Sequence, residues 1–194
     1  MESSRAIAIV RHGETNWNLE RRIQGRTEVP LNDTGRAQAA ATARFLLSDQ
    51  VRERFGDWAG LLSSPLGRAL ETAEILAEHM DLQSPGIEHE LWERDFGQAE
   101  GLSVTDAHAR WPGLAIPGAE TLEDLAARTA NTFTRTLEAS PGTILVAHGA
   151  MIRAGLSRLS GSNIPRIMNG EVWILTRDSE PRVFKLEQQL LLQR

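Results

Sequence analysis

Apolar residues fall along this chain in two kinds of run. Ala6-Ile7-Ala8-Ile9-Val10 and Thr143-Ile144-Leu145-Val146-Ala147 are short and do not alternate with polar residues. That pattern predicts strands buried on both faces, as in a parallel sheet. Elsewhere the apolar positions recur at helical spacing, as in Ala69, Ala73, Leu76, Ala77 and Met80, or in Leu122, Leu125, Ala126, Thr129 and Phe133. Each set predicts a helix with one face packed on a sheet.

The remaining elements fit between these. Residues 16–22 read as a loop or short helix anchored by Trp17 and Leu19, and Gly25 and Pro30 punctuate the stretch beyond it. Asn32, Asp33 and Thr34 offer N-cap oxygens to an alanine-rich helix over 35–47. Residues 48–56 are charged and expected at the surface. A short strand over 59–63 leads to Ser64-Pro65, a helix start with proline at its first position. A third strand is expected over 87–91. Glycines and prolines make 96–118 loop-rich with one short helix. Thr121, with Asp124 three residues on, opens a helix over 121–138. A further helix is expected over 150–159. The chain closes as an edge hairpin, 172–176 and 182–186 about a turn at 178–181. The tail 187–194 has no assignable partner. Strand–helix alternation makes this an α/β fold with a mostly parallel central sheet flanked by helices.

Three of the strands stop at chemically distinctive residues: Arg11-His12, Ser64 leading to Arg68, and His148. In open α/β sheets ligands bind beyond the carboxyl ends of the strands, so these ends face one crevice. Two imidazoles and two guanidiniums converging there suit a dianionic phosphate, since arginine forks bond its oxygens bidentately. A neutral histidine can attack phosphorus while a second donates to an equatorial oxygen. A carboxylic acid must then protonate the leaving oxygen.

Composition narrows the class. At 194 residues, 41% hydrophobic and 24% charged, the chain fits one domain with a sizeable core. A net charge of −5 argues against nucleic acid as a partner. No apolar run is long enough for a membrane span, and the amino terminus lacks the features of a secretory signal. With no cysteine, thiolate catalysis and Cys-ligated metals are excluded. A cytoplasmic location is expected. Lys185 is the single lysine among 21 Lys and Arg residues. Codon bias accounts for most of that excess of arginine, so only individual arginines bear on substrate. His79, His89 and His108 read as surface residues, and Glu88, His89 and Glu90 do not converge on a metal because successive strand side chains alternate faces.

Arg11-His12-Gly13-Glu14-Thr15 with Asn18, Ser64-Pro65-Leu66 leading to Arg68, Glu93 ahead of Phe96-Gly97, and His148-Gly149 resemble the histidine phosphatase superfamily, in the right order from Ala6 to Leu186. That family includes cofactor-dependent phosphoglycerate mutases, bisphosphatases and bacterial phosphatases. The resemblance implies a single three-layer, phosphoglycerate mutase-like domain over 1–194. It implies that His12 is the nucleophile, that Arg11, Arg68 and His148 hold the phosphoryl group with Asn18 adding a hydrogen bond, and that Glu93 is the proton donor and later activates water. Glu14 would orient an arginine. No metal or other cofactor is implied.

Within the family the comparison favours hydrolysis. Mutases that resemble this chain carry an insertion with an Arg-Arg pair after the acid-bearing segment, whereas here Arg110 stands alone between Gly97 and Gly118. Mutases also tend to have Tyr at the place of Phe96 and Thr, Ser or Cys at the place of Gln24. A mutase must shield phosphohistidine from water, which a short lid does poorly. The rim is expected from Gln24, Gly25, Arg26, Arg94, Asp95 and residues 102–118, with Gln24, Gly25 and Arg94 binding substrate. Its mixed charge fits a small phosphorylated metabolite. The alternatives are a phosphoglycerate mutase and a phosphate-binding module without turnover. The edge hairpin and Trp173 can support a homodimer or pack beside a helix.

Overall fold

The computed structural model describes residues 6–177 and 181–186, so the turn expected at 178–181, apart from Pro181, and the tail 187–194 lie outside the described residues. The strands β1 (Ala6–Arg11), β2 (Gly60–Ser63), β3 (Gly86–Ile87), β4 (Thr143–Ala147), β5 (Val172–Arg177) and β6 (Pro181–Leu186) form one sheet in the order β3-β2-β4-β1-β5-β6. The first four run parallel, and β5 and β6 add antiparallel at one side. The register sets Arg11 beside Ala147 and Ser63 beside Val146. The carboxyl ends of β1, β2 and β4 therefore fall together at one edge, and that edge carries the site.

The helices are α1 (Asn16–Leu19), α2 (Asp33–Leu46), α3 (Asp49–Phe55), α4 (Gly67–Met80), α5 (Val104–Arg110), α6 (Leu122–Ala139) and α7 (Gly149–Ser160). They divide between the two faces of the sheet as the alternation of strand side chains requires. Ala6, Ala8 and Val10 of β1 pack among Ala39 and Ala43 of α2 and Ala69, Ala73 and Ala77 of α4. Ile7 and Ile9 pack on the opposite face among Leu125 and Phe133 of α6 and Met151, Ile152 and Leu156 of α7. Alanine against alanine lets the helices approach the sheet closely. An added branch there would overpack a filled interior, at a cost of about 1–3 kcal/mol.

The structure corrects several expectations. α4 begins at Gly67 with Leu66 as its N-cap residue, two positions after Pro65. Ser64 instead stays in the strand exit, where its hydroxyl contacts His148. Residues 48–56 hold a helix, α3, whose Val51 and Phe55 enter the core, so only part of that segment faces solvent. The third strand is limited to Gly86–Ile87 and gives way to a 3₁₀ turn at His89–Leu91. Leu19, expected as an anchor, and Leu122, expected on the packed stripe of α6, are 69% and 55% exposed. Residues 96–118 carry more order than a loop: Ile23, Phe96, Ala99, Ala107 and Ile116 form a small core of their own beneath the rim. Among the described residues no helix is long and apolar enough to cross a membrane.

Candidate active site

His12 follows β1 directly and is tied to the next strand by its N–H, which donates to Ala147 O at 3.0 Å. Its Nδ1 lies 2.7 Å from Gly13 O, and because a carbonyl only accepts, Nδ1 carries the proton. The lone pair is thus on Nε2, where it accepts a bond from Arg68 Nε at 3.2 Å. Burial, then the charges of Arg68 and Arg11, hold the imidazole well below its usual range, against the opposing effect of the Gly13 bond. The result is a neutral histidine with a fixed tautomer and an in-plane lone pair.

Arg68 is 1% exposed although it sits in the first turn of α4. Its NH1 and NH2 donate to Thr27 O (2.9 Å) and Gly25 O (2.7 Å), which aims Nε at His12. Arg11 NH1 donates to Ile167 O at 2.7 Å, while its Nε is buried with no partner in the protein. Burial pushes the Arg11 pKa down to about 10, against the attraction of Glu93, so it stays charged at neutral pH. His148 stands at 5.1 Å from His12, ring to ring, at 61°. Its Nε2 lies 2.8 Å from Ser64 Oγ, and that oxygen accepts from Leu66 N at 3.3 Å. Ser64 Oγ can direct its proton at Nε2, and in that tautomer His148 carries its own proton on Nδ1, which is buried without a protein partner. Burial and the charge of Arg68 keep this ring neutral as well. Leaving a buried donor unpaired costs about 1–3 kcal/mol, and these two nitrogens beside His12 are placed to bond the oxygens of an anion.

Glu93 is placed by the N-terminus of α7. Its Oε1 accepts from Met151 N (3.0 Å) and Arg94 N (2.8 Å), and its Oε2 accepts from Ala150 N at 3.1 Å. Oε2, with one bond, keeps a lone pair that can carry a proton. Arg128 braces the same segment: its NH1 reaches Glu90 O (2.7 Å), its NH2 reaches Glu93 O (3.3 Å), and it grips Glu120 with Nε at 2.6 Å.

The loop after His12 is packed against the start of α2. A Cβ at either Gly13 or Gly35 would collide with the backbone of the other segment, so this crossing requires glycine at both positions. Gly13 N donates to Thr72 Oγ1 at 3.0 Å. Glu14 does not orient an arginine as expected: its Oε1 accepts from Asn32 Nδ2 at 3.0 Å, which fastens the loop to the α2 cap. Thr15 caps α1 and bonds Gln24 Oε1 at 3.0 Å. Asn18 Oδ1 accepts from Thr15 N (3.1 Å) and from Asn169 Nδ2 (3.0 Å).

The fold thus brings Arg11, His12, Arg68, Glu93 and His148 together, with Asn18 and the Gly25 carbonyl at their margin. Arg94 stands differently. Its guanidinium donates to Glu120 O (2.9 Å) and Leu114 O (3.1 Å) and lies over the Phe96 ring, so its observed contacts brace the rim from within. Arg26 is the arginine at the surface here, 5.6 Å over the Trp92 ring and 3.9 and 3.8 Å from the Asp95 and Glu120 carboxylates. Sequence reasoning missed Thr72, Arg128 and Asn169. Thr72 had a signal, since it lies four residues after Arg68 on the buried face of a helix. Among the described residues no group of three His, Cys, Asp or Glu side chains is placed to hold a metal ion.

The family model described as histidine phosphatase superfamily (branch 1) matches residues 7–186. The chain belongs to this superfamily. Among its relatives in the superfamily, the phosphatase PhoE of Bacillus subtilis (strain 168) is 39% identical over 161 residues, covering 81% of this chain and 79% of the relative. A 2,3-bisphosphoglycerate-dependent phosphoglycerate mutase of Gloeobacter violaceus is 33% identical over 170 residues, covering 79% and 74%. A mycobacterial glucosyl-3-phosphoglycerate phosphatase solved in complex with VO3 superposes with a TM-score of 0.77 at 26% identity, covering 94% of this chain and 98% of that one. The phosphoglycerate mutase-like α/β fold expected from the sequence is therefore the fold observed. The histidine phosphatase relatives support assignment as a hydrolase.

Proposed function

We propose that this protein hydrolyses phosphate monoesters of small metabolites through a phosphohistidine on His12. The observation that carries this is the pair of unpartnered buried nitrogens, Arg11 Nε and His148 Nδ1, flanking a neutral His12 whose lone pair is on Nε2. With Arg68 Nε they make three nitrogens in a buried site that suit the equatorial oxygens of a transferring phosphoryl group, where most of the stabilisation is positional and electrostatic. Nε2 attacks phosphorus as the bond to the leaving oxygen breaks, and Arg68 Nε transfers its hydrogen bond from Nε2 to a phosphoryl oxygen. Glu93 Oε2 gives its proton to the leaving oxygen. The carboxylate then takes a proton from water as that water attacks the phosphohistidine, which releases phosphate and restores His12. No step calls on a metal. This reading includes a cytoplasmic setting, where such metabolites are made and consumed.

The Gloeobacter relative favours a second reading, in which the phosphoryl group returns to substrate as in a mutase. One experiment separates the two. A panel of phosphorylated metabolites is assayed for phosphate release, with and without EDTA, beside conversion of 3-phosphoglycerate to 2-phosphoglycerate. Release that survives EDTA is expected. Conversion without release would make the protein a mutase, and loss with EDTA restored by metal would overturn the metal-free mechanism.

A further inference from the structure

We infer that Asn169 is a positioning residue that sets which end of the Asn18 amide faces the phosphate. This rests on the proposed phosphatase reading. Asn169 precedes β5, far in sequence from the nucleophile, yet its Nδ2 reaches three acceptors of the nucleophile loop: His12 O at 3.0 Å, Gly13 O at 3.2 Å and Asn18 Oδ1 at 3.0 Å. His12 O and Gly13 O are backbone carbonyls that can only accept, so the Asn169 amide has one orientation here, and its Nδ2 in turn calls for the oxygen of Asn18. Asn18 Oδ1 also accepts from Thr15 N at 3.1 Å, so its oxygen faces N–H donors on the protein side. The Asn18 nitrogen is left at the opposite end of the amide, and an N–H presented there binds a dianion. A flipped amide would present a carbonyl and repel it.

The contact with Gly13 O adds a second consequence. That carbonyl is the acceptor for His12 Nδ1, so Asn169 also fixes the group that fixes the tautomer of the nucleophile. One amide from the β5 side thereby sets the orientation of both an expected phosphate ligand and the attacking imidazole.

The test uses the full chain with inorganic phosphate as the probe, read as inhibition of p-nitrophenyl phosphate hydrolysis and by calorimetry, beside the melting temperature. Asn169→Ala is expected to weaken phosphate binding about tenfold, the scale of one hydrogen bond to a charged group. Asn169→Asp keeps the size and shape but replaces the donor with an acceptor. It is expected to be worse than Asn169→Ala, about a hundredfold below wild type, because Asn18 Oδ1 then turns toward the phosphate and the added carboxylate charge repels it. Asn18→Ala combined with Asn169→Ala should bind phosphate no more weakly than Asn18→Ala alone, the signature of two residues acting through one contact. Asn169→Asp equal to wild type, or additive losses in the double variant, would overturn the inference. So would melting temperatures that fall in step with binding in both Asn169 variants, since Asn169 would then only brace the fold. Wild-type protein that binds phosphate without turnover would instead overturn the hydrolase reading, and the calorimetric arm would still decide the role of Asn169.

Discussion

At the floor of the pocket Arg11, His12, Arg68 and His148 are 8%, 2%, 1% and 0% exposed, and each is held from a strand end or from the helix that follows one. At the rim Arg26 rides over Trp92, with its side chain 41% exposed and its carboxylate partners nearly 4 Å away. The floor is a rigid, dry arrangement in which charge is strongly felt, and the rim is a wet one in which it is screened. On the proposed reading, the phosphoryl chemistry belongs to the sheet and the choice of phosphorylated molecule to loops that can vary without disturbing it.

The strongest way to test the contrast is at the floor. His12→Ala is expected to abolish phosphate release while the protein stays folded, because it removes the attacking nitrogen and leaves the strand and its backbone bonds in place. Normal turnover by that variant would remove the proposed nucleophile. Glu93→Gln should slow phosphoryl transfer from a sugar phosphate by about 10²–10⁴-fold, the usual worth of a positioned acid. Rapid-quench measurement with p-nitrophenyl phosphate should show a smaller loss, because that leaving group needs no proton. Equal slowing of the two would argue that Glu93 does not supply one.

A third test reads the dryness of the floor as stability. His12 and His148 both have folded pKa values pushed below the ordinary 6.5, chiefly by burial. Below about pH 6.5 the unfolded chain therefore binds more protons than the folded one, and stability falls as pH falls toward the depressed values. Each group contributes a slope that rises toward about 1.4 kcal/mol per pH unit as the unfolded imidazole becomes fully protonated. Denaturant unfolding between pH 7 and pH 5 should show this loss, and His148→Asn should reduce its slope. An unchanged slope would mean that the floor is wetter than its burial implies. The smallest effect belongs to the rim. Arg26→Ala should lower kcat/KM by less than about fivefold, the scale of an exposed ion pair. A loss as large as that of Glu93→Gln would move Arg26 from the rim to the chemistry.

Much of the floor was legible in the chain. The unbroken runs of β1 and β4 and the residues that end them located Arg11, His12 and His148, because an apolar run that stops at a charged or titratable residue marks the edge of a buried strand. Arg68 was legible from its place after β2. The rim was read less well. Residues 96–118 look like a loop by their glycines and prolines, but Phe96, Ala107 and Ile116 give them a small core. Arg94, expected to bind substrate, donates to the carbonyls of Glu120 and Leu114, contacts that no local pattern announces. α3 was read as surface because its charges outnumber the two residues it buries.

By itself the sequence determined the α/β class, the parallel strands and the set of groups that meet at their ends, since periodicity and strand termination are local properties of the chain. The tertiary structure decided what those groups do to one another. The tautomers of His12 and His148 depend on Gly13 O and Ser64 Oγ, the aim of Arg68 on carbonyls of Gly25 and Thr27, and the orientation of Asn18 on Asn169. Except for Gly13 O beside His12 Nδ1, these partners lie tens of residues or more away in the chain. A hydrogen bond between such residues exists only once packing has brought their backbones together, and no local pattern records it.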